Sequence, residues 1–267
     1  MMVRRVAIMI PIVIALSLLC GCITFKEPYE NGRERKRNHD GNDDDSYPLD
    51  RKMLVAYYQM DDDWSYGTTK DSSGIGSDGE ILGGAIQEPV GVFGKAAKFD
   101  GIDDLIWVHP KGPLDLNGYG LTMMAWVKVI DDSEENMIMD NEESYEFRIS
   151  NGDVCFAIRA EGSDWYWIRS EAKVTIGTWQ HVAVTYDGTC VRTYIDGESK
   201  DVVEYPHGHI LPSELPFSIG AGLKYDNTKE GWKWDYPFHG SLDEVAVFSF
   251  ALTEDEIAAM AYDQALP

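Results

Sequence analysis

The chain has 267 residues, with 46 Asp and Glu against 23 Lys and Arg and a formal net charge of −23. So acidic a balance speaks against nucleic acid as a partner, because phosphate binding needs basic patches. Hydrophobic residues make up 44% and charged residues 26%, a mixture that builds a packed core and excludes a globally disordered chain.

The N-terminus comes first. Arg4 and Arg5 precede the apolar run Val6 to Leu19, and Cys20, Gly21 and Cys22 follow. A basic start, an apolar stretch and small residues after it have the form of a secretory signal. Leu19 to Cys22 resembles the lipobox of bacterial lipoproteins, which implies lipidation of Cys22, although Cys20 stands where Ala or Ser is usual. No charge falls between Val6 and Phe25, so an uncleaved helical anchor stays open as the alternative. On either reading the Arg pair remains inside, and the rest of the chain is expected outside the cytoplasm, anchored to the cell envelope. Residues 23–50 are polar, charged and without apolar periodicity, and read as a flexible tether. The run Asp40 to Asp45 fails the calcium-loop pattern, with Asp45 in place of the required Gly and Arg51 in place of the closing Glu.

Residues 51–267 form the expected folded domain. Short alternating runs such as AAKFDG, LTMMAWVKV, YEFRIS, VCFAIRA and LDEVAVFSF are separated by Gly, Asp, Asn and Pro turns. This is the pattern of an all-β antiparallel sandwich or barrel. In WQHVAVTYDGTCVRTYIDG, Val182, Val184 and Tyr186 share one face of a central strand, and Val191 to Ile195 return beside it. His181 at the strand start reads as structural. Cys155 and Cys190 fall in strands of an exported domain and are expected to bridge; the alternative is two small buried apolar residues. Thr253 followed by Glu256 predicts a capped C-terminal helix, with Leu252 and Ile257 as its staple.

Six blocks in order then resemble a known family. They are LVAYYQMDD from Leu54, DSSGIGSDGEILGGA from Asp71, FGKAAKFDGIDDLIWV from Phe93, LTMMAWVKV from Leu121, GTWQHVAVTYDGTCVRTYIDG from Gly177 and FHGSLDEVAVFSFALTEDEI from Phe238. Together they are similar to the laminin-G-like jelly rolls of the concanavalin A-like lectin/glucanase superfamily. The resemblance implies a two-sheet antiparallel jelly-roll sandwich with one sheet concave, and a role that ranges from sugar or protein binding to glycoside hydrolysis. It also implies calcium at the sheet rim, with Asp104 and Asp243 as best matches and Asp103 and Asp100 beside them; the alternative is turn aspartates that stabilise their own loops.

The superfamily's glucanases carry Glu-x-Asp-x-Glu on one strand, and no such motif is present. Asp243 and Glu244 are adjacent and are expected on opposite faces. Glu142 and Glu146 have matching parity, but residue 144 is Ser. An enzyme is therefore not expected. Sugars stack on aromatic faces, and two stretches offer them: Trp165 and Trp167, and Trp232, Trp234 and Tyr236 with Asp235. The alternative is that these rings fill the core. His207 and His209 have spacing for a shared metal but lack a third ligand nearby in sequence, and read as a surface loop. The expected function is non-catalytic extracytoplasmic binding of carbohydrate, with a structural or adhesive protein-binding domain as the alternative.

Overall fold

The structure is a computed structural model that describes residues 54–75, 77–109, 112–131, 135–226 and 231–262. The anchor, the tether and Cys22 lie outside the described residues. In chain order the strands are β1 (Leu54–Tyr58), β2 (Thr68–Thr69), β3 (Gly79–Leu82), β4 (Ile86–Glu88), β5 (Ala96–Asp100), β6 (Leu105–Val108), β7 (Leu121–Val129), β8 (Glu135–Asn141) and β9 (Tyr145–Ser150). They continue with β10 (Asp153–Ile158), β11 (Tyr166–Lys173), β12 (Gln180–Tyr186), β13 (Cys190–Ile195), β14 (Glu198–Glu204), β15 (Phe217–Ile219), β16 (Gly222–Asp226), β17 (Gly231–Asp235) and β18 (His239–Phe248). One helix, α1 (Glu254–Tyr262), follows. No helix among the described residues is long and apolar enough to cross a membrane.

The strands form two 8-stranded antiparallel sheets and one two-stranded hairpin. The first sheet runs β14-β13-β12-β7-β18-β5-β4, with β1 also paired to β18; the second runs β11-β10-β9-β8-β15-β6-β3-β2. Strand alternation explains why the sheets pack. Along β7, Leu121, Met123, Ala125, Val127 and Val129 enter the shared core, and the residues between them point the other way. On the second sheet, Phe147, Phe156 and Phe217 are sealed in the same core. Each contributes about 2 kcal/mol of burial free energy.

The outer face of the first sheet is covered by α1. Thr253 and Glu256 make the expected reciprocal cap: Thr253 N–H donates to the Glu256 carboxylate at 2.7 Å, and Glu256 N–H donates to Thr253 Oγ1 at 3.3 Å. Leu252 and Ile257 then pack with Met124, Ala183, Tyr194 and Phe248. The outer face of the second sheet carries the β16–β17 hairpin instead. Leu223 N–H donates to Asp140 Oδ2 at 2.6 Å, and Met137 N–H donates to the Tyr236 carbonyl at 3.0 Å.

The expected Cys155–Cys190 bridge is not formed, and Cys155 is a free, buried thiol. The cause is parity. Cys155 lies between the core residues Val154 and Phe156 on β10, and Cys190 precedes the core residue Val191 on β13. Both side chains therefore point away from the core, on opposite sides of two sheets packed about 10 Å apart, whereas a disulfide needs Cβ atoms within about 4.5 Å.

Gly220 follows β15 with φ of +88°, and a Cβ there would meet Phe99 Cε1 at 2.3 Å. Gly220→Ala is expected to destabilise the domain by about 2 kcal/mol or more, seen as a lower midpoint in urea denaturation with an unchanged m-value.

Candidate functional site

Alternation fixes what lies on the outer face of the second sheet. Tyr145, Phe147 and Ile149 enter the core, so Glu146 and Arg148 face outward; Ile106 and Val108 do the same for Trp107, and Ile168 for Trp167. The register then aligns a row across the sheet. Trp107 pairs with Ser218, Ser218 with Asp140, Asp140 with Glu146, Glu146 with Ala157, and Ala157 with Trp167. With strands about 4.8 Å apart, the two tryptophans stand roughly 24 Å from each other. The centre of the row is small or acidic and buried under the hairpin, while Trp107 and Trp167 at its ends are partly exposed.

Two aromatic groups flank the hairpin. On one side the Arg148 guanidinium lies 3.6 Å from the Trp167 ring centroid and 5.1 Å from that of Tyr236, within cation–π range. Arg148 Nε is 2.9 Å from Glu135, and Trp165 meets Trp167 edge to face at 6.2 Å. On the other side Trp107 stacks on His109 at 5.7 Å and meets Trp234 edge to face at 6.5 Å. Asp235 lies 3.5 Å from both Lys224 and Lys233, and Lys224 Nζ donates to the Tyr236 hydroxyl at 2.8 Å. The fold thus brings Trp165, Trp167, Trp234, Asp235 and Tyr236 to one face, all half-buried. Trp232 is placed by its backbone, paired with Tyr225 in the hairpin. Trp107 and Arg148 escaped the sequence reading. The alternation of Trp107 with Ile106 and Val108 was the available signal.

Asp140, Glu142 and Glu146 complete this face. One carboxylate oxygen from each lies within 4.8 Å of the other two. Burial holds all three carboxyl groups above their ordinary range, Asp140 and Glu146 well above it, and the neighbouring acids push Glu146 in the same direction. Residue 144 is indeed Ser, and the third acid comes from the paired strand: Asp140 on β8 stands opposite Glu146 on β9.

The calcium candidates separate. Asp100, Asp103 and Asp104 converge, with oxygens within 4.8 Å of one another. Two of them already brace their own turn, since Asp104 Oδ2 accepts from Asp100 N–H and Asp100 Oδ1 accepts from Ile102 N–H, both at 2.8 Å. Asp243 is not in that group. Its carboxylate accepts from the backbone N–H groups of Val92, Phe93 and Glu244. His181 is buried against Trp126, and burial pushes its pKa down to about 4, so it stays neutral. His207 packs on Tyr205 and His209 on Tyr119, so the two imidazoles have different aromatic neighbours.

Asp243 and Glu244 do not obey the expected alternation. β18 bulges between Asp243 and Ala246, with Glu244 at φ of +53°. Both carboxylates are consequently buried, and Glu244 accepts a hydrogen bond from the Tyr57 hydroxyl. Burial first, and then Asp243 and Asp61, raise Glu244 to about 7. Between about pH 4.5 and 7 the unfolded chain ionises this group while the folded chain keeps it protonated, so its contribution falls as pH rises, by on the order of 2 kcal/mol. Burial likewise raises the neighbouring Asp243 to about 7, so Glu244→Gln is expected to make the fall in melting temperature across this window shallower without abolishing it. A wild-type slope retained in the variant would place the titration elsewhere.

No curated protein sequence matches the chain. Solved structures do match it in fold. The binding domain of Paraclostridial Mosquitocidal Protein 1 aligns with a TM-score of 0.61 and 15% identity, covering 80% of this chain and 53% of that one. Domain 4 of AbnA, a GH43 extracellular arabinanase from Geobacillus stearothermophilus, solved in complex with arabinotriose, aligns with a TM-score of 0.60 and 21% identity, covering 78% and 98%. The receptor binding domain of botulinum neurotoxin C/D mosaic serotype aligns with a TM-score of 0.59 and 15% identity, covering 81% and 52%. The chain spans about half the length of the two toxin domains. The Laminin_G_3 family matches residues 100–258, more than half of the 267-residue sequence. The chain therefore belongs to the concanavalin A-like lectin/glucanases superfamily.

Proposed function

We propose that the chain is a non-catalytic binding module for carbohydrate, held outside the cytoplasm by its N-terminal segment through a lipidated Cys22 or an uncleaved helix. The observation that carries this reading is the pair of half-exposed aromatic groups on the outer face of the second sheet, Trp165, Trp167 and Tyr236 around Arg148, and Trp107 with Trp234. Their partly exposed rings offer apolar surface to a sugar ring, and Arg148, Lys224 and Asp235 supply hydrogen-bonding groups beside them. The structural neighbours support a binding role, since two are binding domains of toxins and the third holds arabinotriose. Calcium at the rim remains part of the proposal, with Asp100, Asp103 and Asp104 as the residues that would hold it; Asp243 is engaged elsewhere.

The test is a glycan and polysaccharide screen on the full chain, with arabinotriose among the ligands. Saturable binding is expected, and Trp167→Ala and Trp234→Ala should each raise Kd at least tenfold, about 1.4 kcal/mol, with the fold intact by circular dichroism. Binding to no glycan, by a folded protein, would shift the assignment to a protein ligand on the same face.

A further inference from the structure

The acidic group under the hairpin has a feature that the aromatic surface does not explain. Asp140 is fully buried, its Oδ2 accepts from Leu223 N–H, and its Oδ1 has no hydrogen-bond partner among the described residues. Glu146 is 4% exposed and stands directly opposite it on β9. A sealed carboxylate oxygen without a donor is costly, and three carboxylates together are costlier still unless a proton or a metal ion joins them. Arg148 acts on Asp140 and Glu146, and Lys224 on Glu142, as favourable charges, but each cation also has an acid of its own: Arg148 pairs with Glu135 at 2.9 Å, and Lys224 lies 3.5 Å from Asp235.

We propose that Asp140, Glu142 and Glu146 form a binding site for a hard divalent cation such as calcium, seated between the β8–β9 strand pair and the β16–β17 hairpin. The donor set is all oxygen, with no His or Cys in the group, which selects calcium, magnesium or manganese over zinc or copper. Size agrees as well. Calcium binds oxygen at about 2.3–2.6 Å, so oxygens on opposite sides of it stand about 5 Å apart, and the three carboxylate oxygens lie within 4.8 Å of one another. Two ligands come from paired strands and the third from the turn that joins them, so a cation here would tie β8 to β9. The Asp140 link to Leu223 would extend its hold to the hairpin.

The test is calorimetric titration of the chelator-treated full chain with calcium chloride, repeated with magnesium and manganese chlorides, on the wild type and on Asp140→Asn, Glu146→Gln and Asp104→Asn. Saturable binding is expected for the wild type. Asp140→Asn and Glu146→Gln should weaken it at least tenfold, while Asp104→Asn, at the rim, leaves this step unchanged. Calcium should also raise the melting temperature of the wild type and of Asp104→Asn by mass action, and that of Asp140→Asn by less than the wild type's rise. If the β8 and β9 variants fail to fold, Glu142→Gln in the turn carries the same expectation. No saturable binding of any of the three ions, or binding lost only in Asp104→Asn, overturns the proposal. Because no sugar enters the experiment, its outcome is independent of the carbohydrate reading.

Discussion

The apolar interface between the two antiparallel sheets is the constraint from which the other features follow. A strand has two faces, and once Tyr145, Phe147 and Ile149 are committed to that interface, Glu146 and Arg148 must stand outside it. The same holds strand by strand across the second sheet. Antiparallel register then converts a one-dimensional alternation into a row that runs from Trp107 through Asp140 and Glu146 to Trp167. The candidate face is thus the reverse side of the core, and its geometry is as rigid as the ladder that builds it.

That rigidity supports groups that local chemistry alone would not tolerate. Asp140 and Glu146 are buried acids on neighbouring strands, an arrangement in which cross-strand repulsion opposes pairing. The sheet holds them because the core on its other side over-determines their positions. The hairpin that covers them is attached through Asp140 itself and through the Tyr236 carbonyl. Tyr236, at the end of that hairpin and in the left-handed region with φ of +56°, comes over the same Arg148 that stacks on Trp167. The acidic group and the aromatic group therefore share a support, which explains why the two chemistries occur side by side.

The fold was legible because core strands write their alternation plainly. LTMMAWVKV and WQHVAVTY behave as read, and Thr253 with Glu256 marks the helix start. The site was legible only in part. Trp165, Trp167, Trp234 and Tyr236 stand out as clustered aromatics, whereas Trp107 is a lone ring within the apolar run LIWV. β8 was not recognised at all: its sequence ENMIMDN carries Met, Asn and Asp rather than β-branched residues, and it follows an acidic run. Missing that strand hid Asp140, and with it the partner of Glu146. The bulge at Glu244 and the opposed parities of Cys155 and Cys190 were beyond a single-strand reading, because each depends on which sheet a strand joins and where its register slips.

Helix α1 covers one outer face of the sandwich, and the aromatic and acidic groups occupy the other. The molecule therefore has a back and a front. A surface, label or fused protein joined to the helix side would leave the front turned away from the attachment, so immobilisation by that end gives an oriented layer in which the tryptophans face the solution.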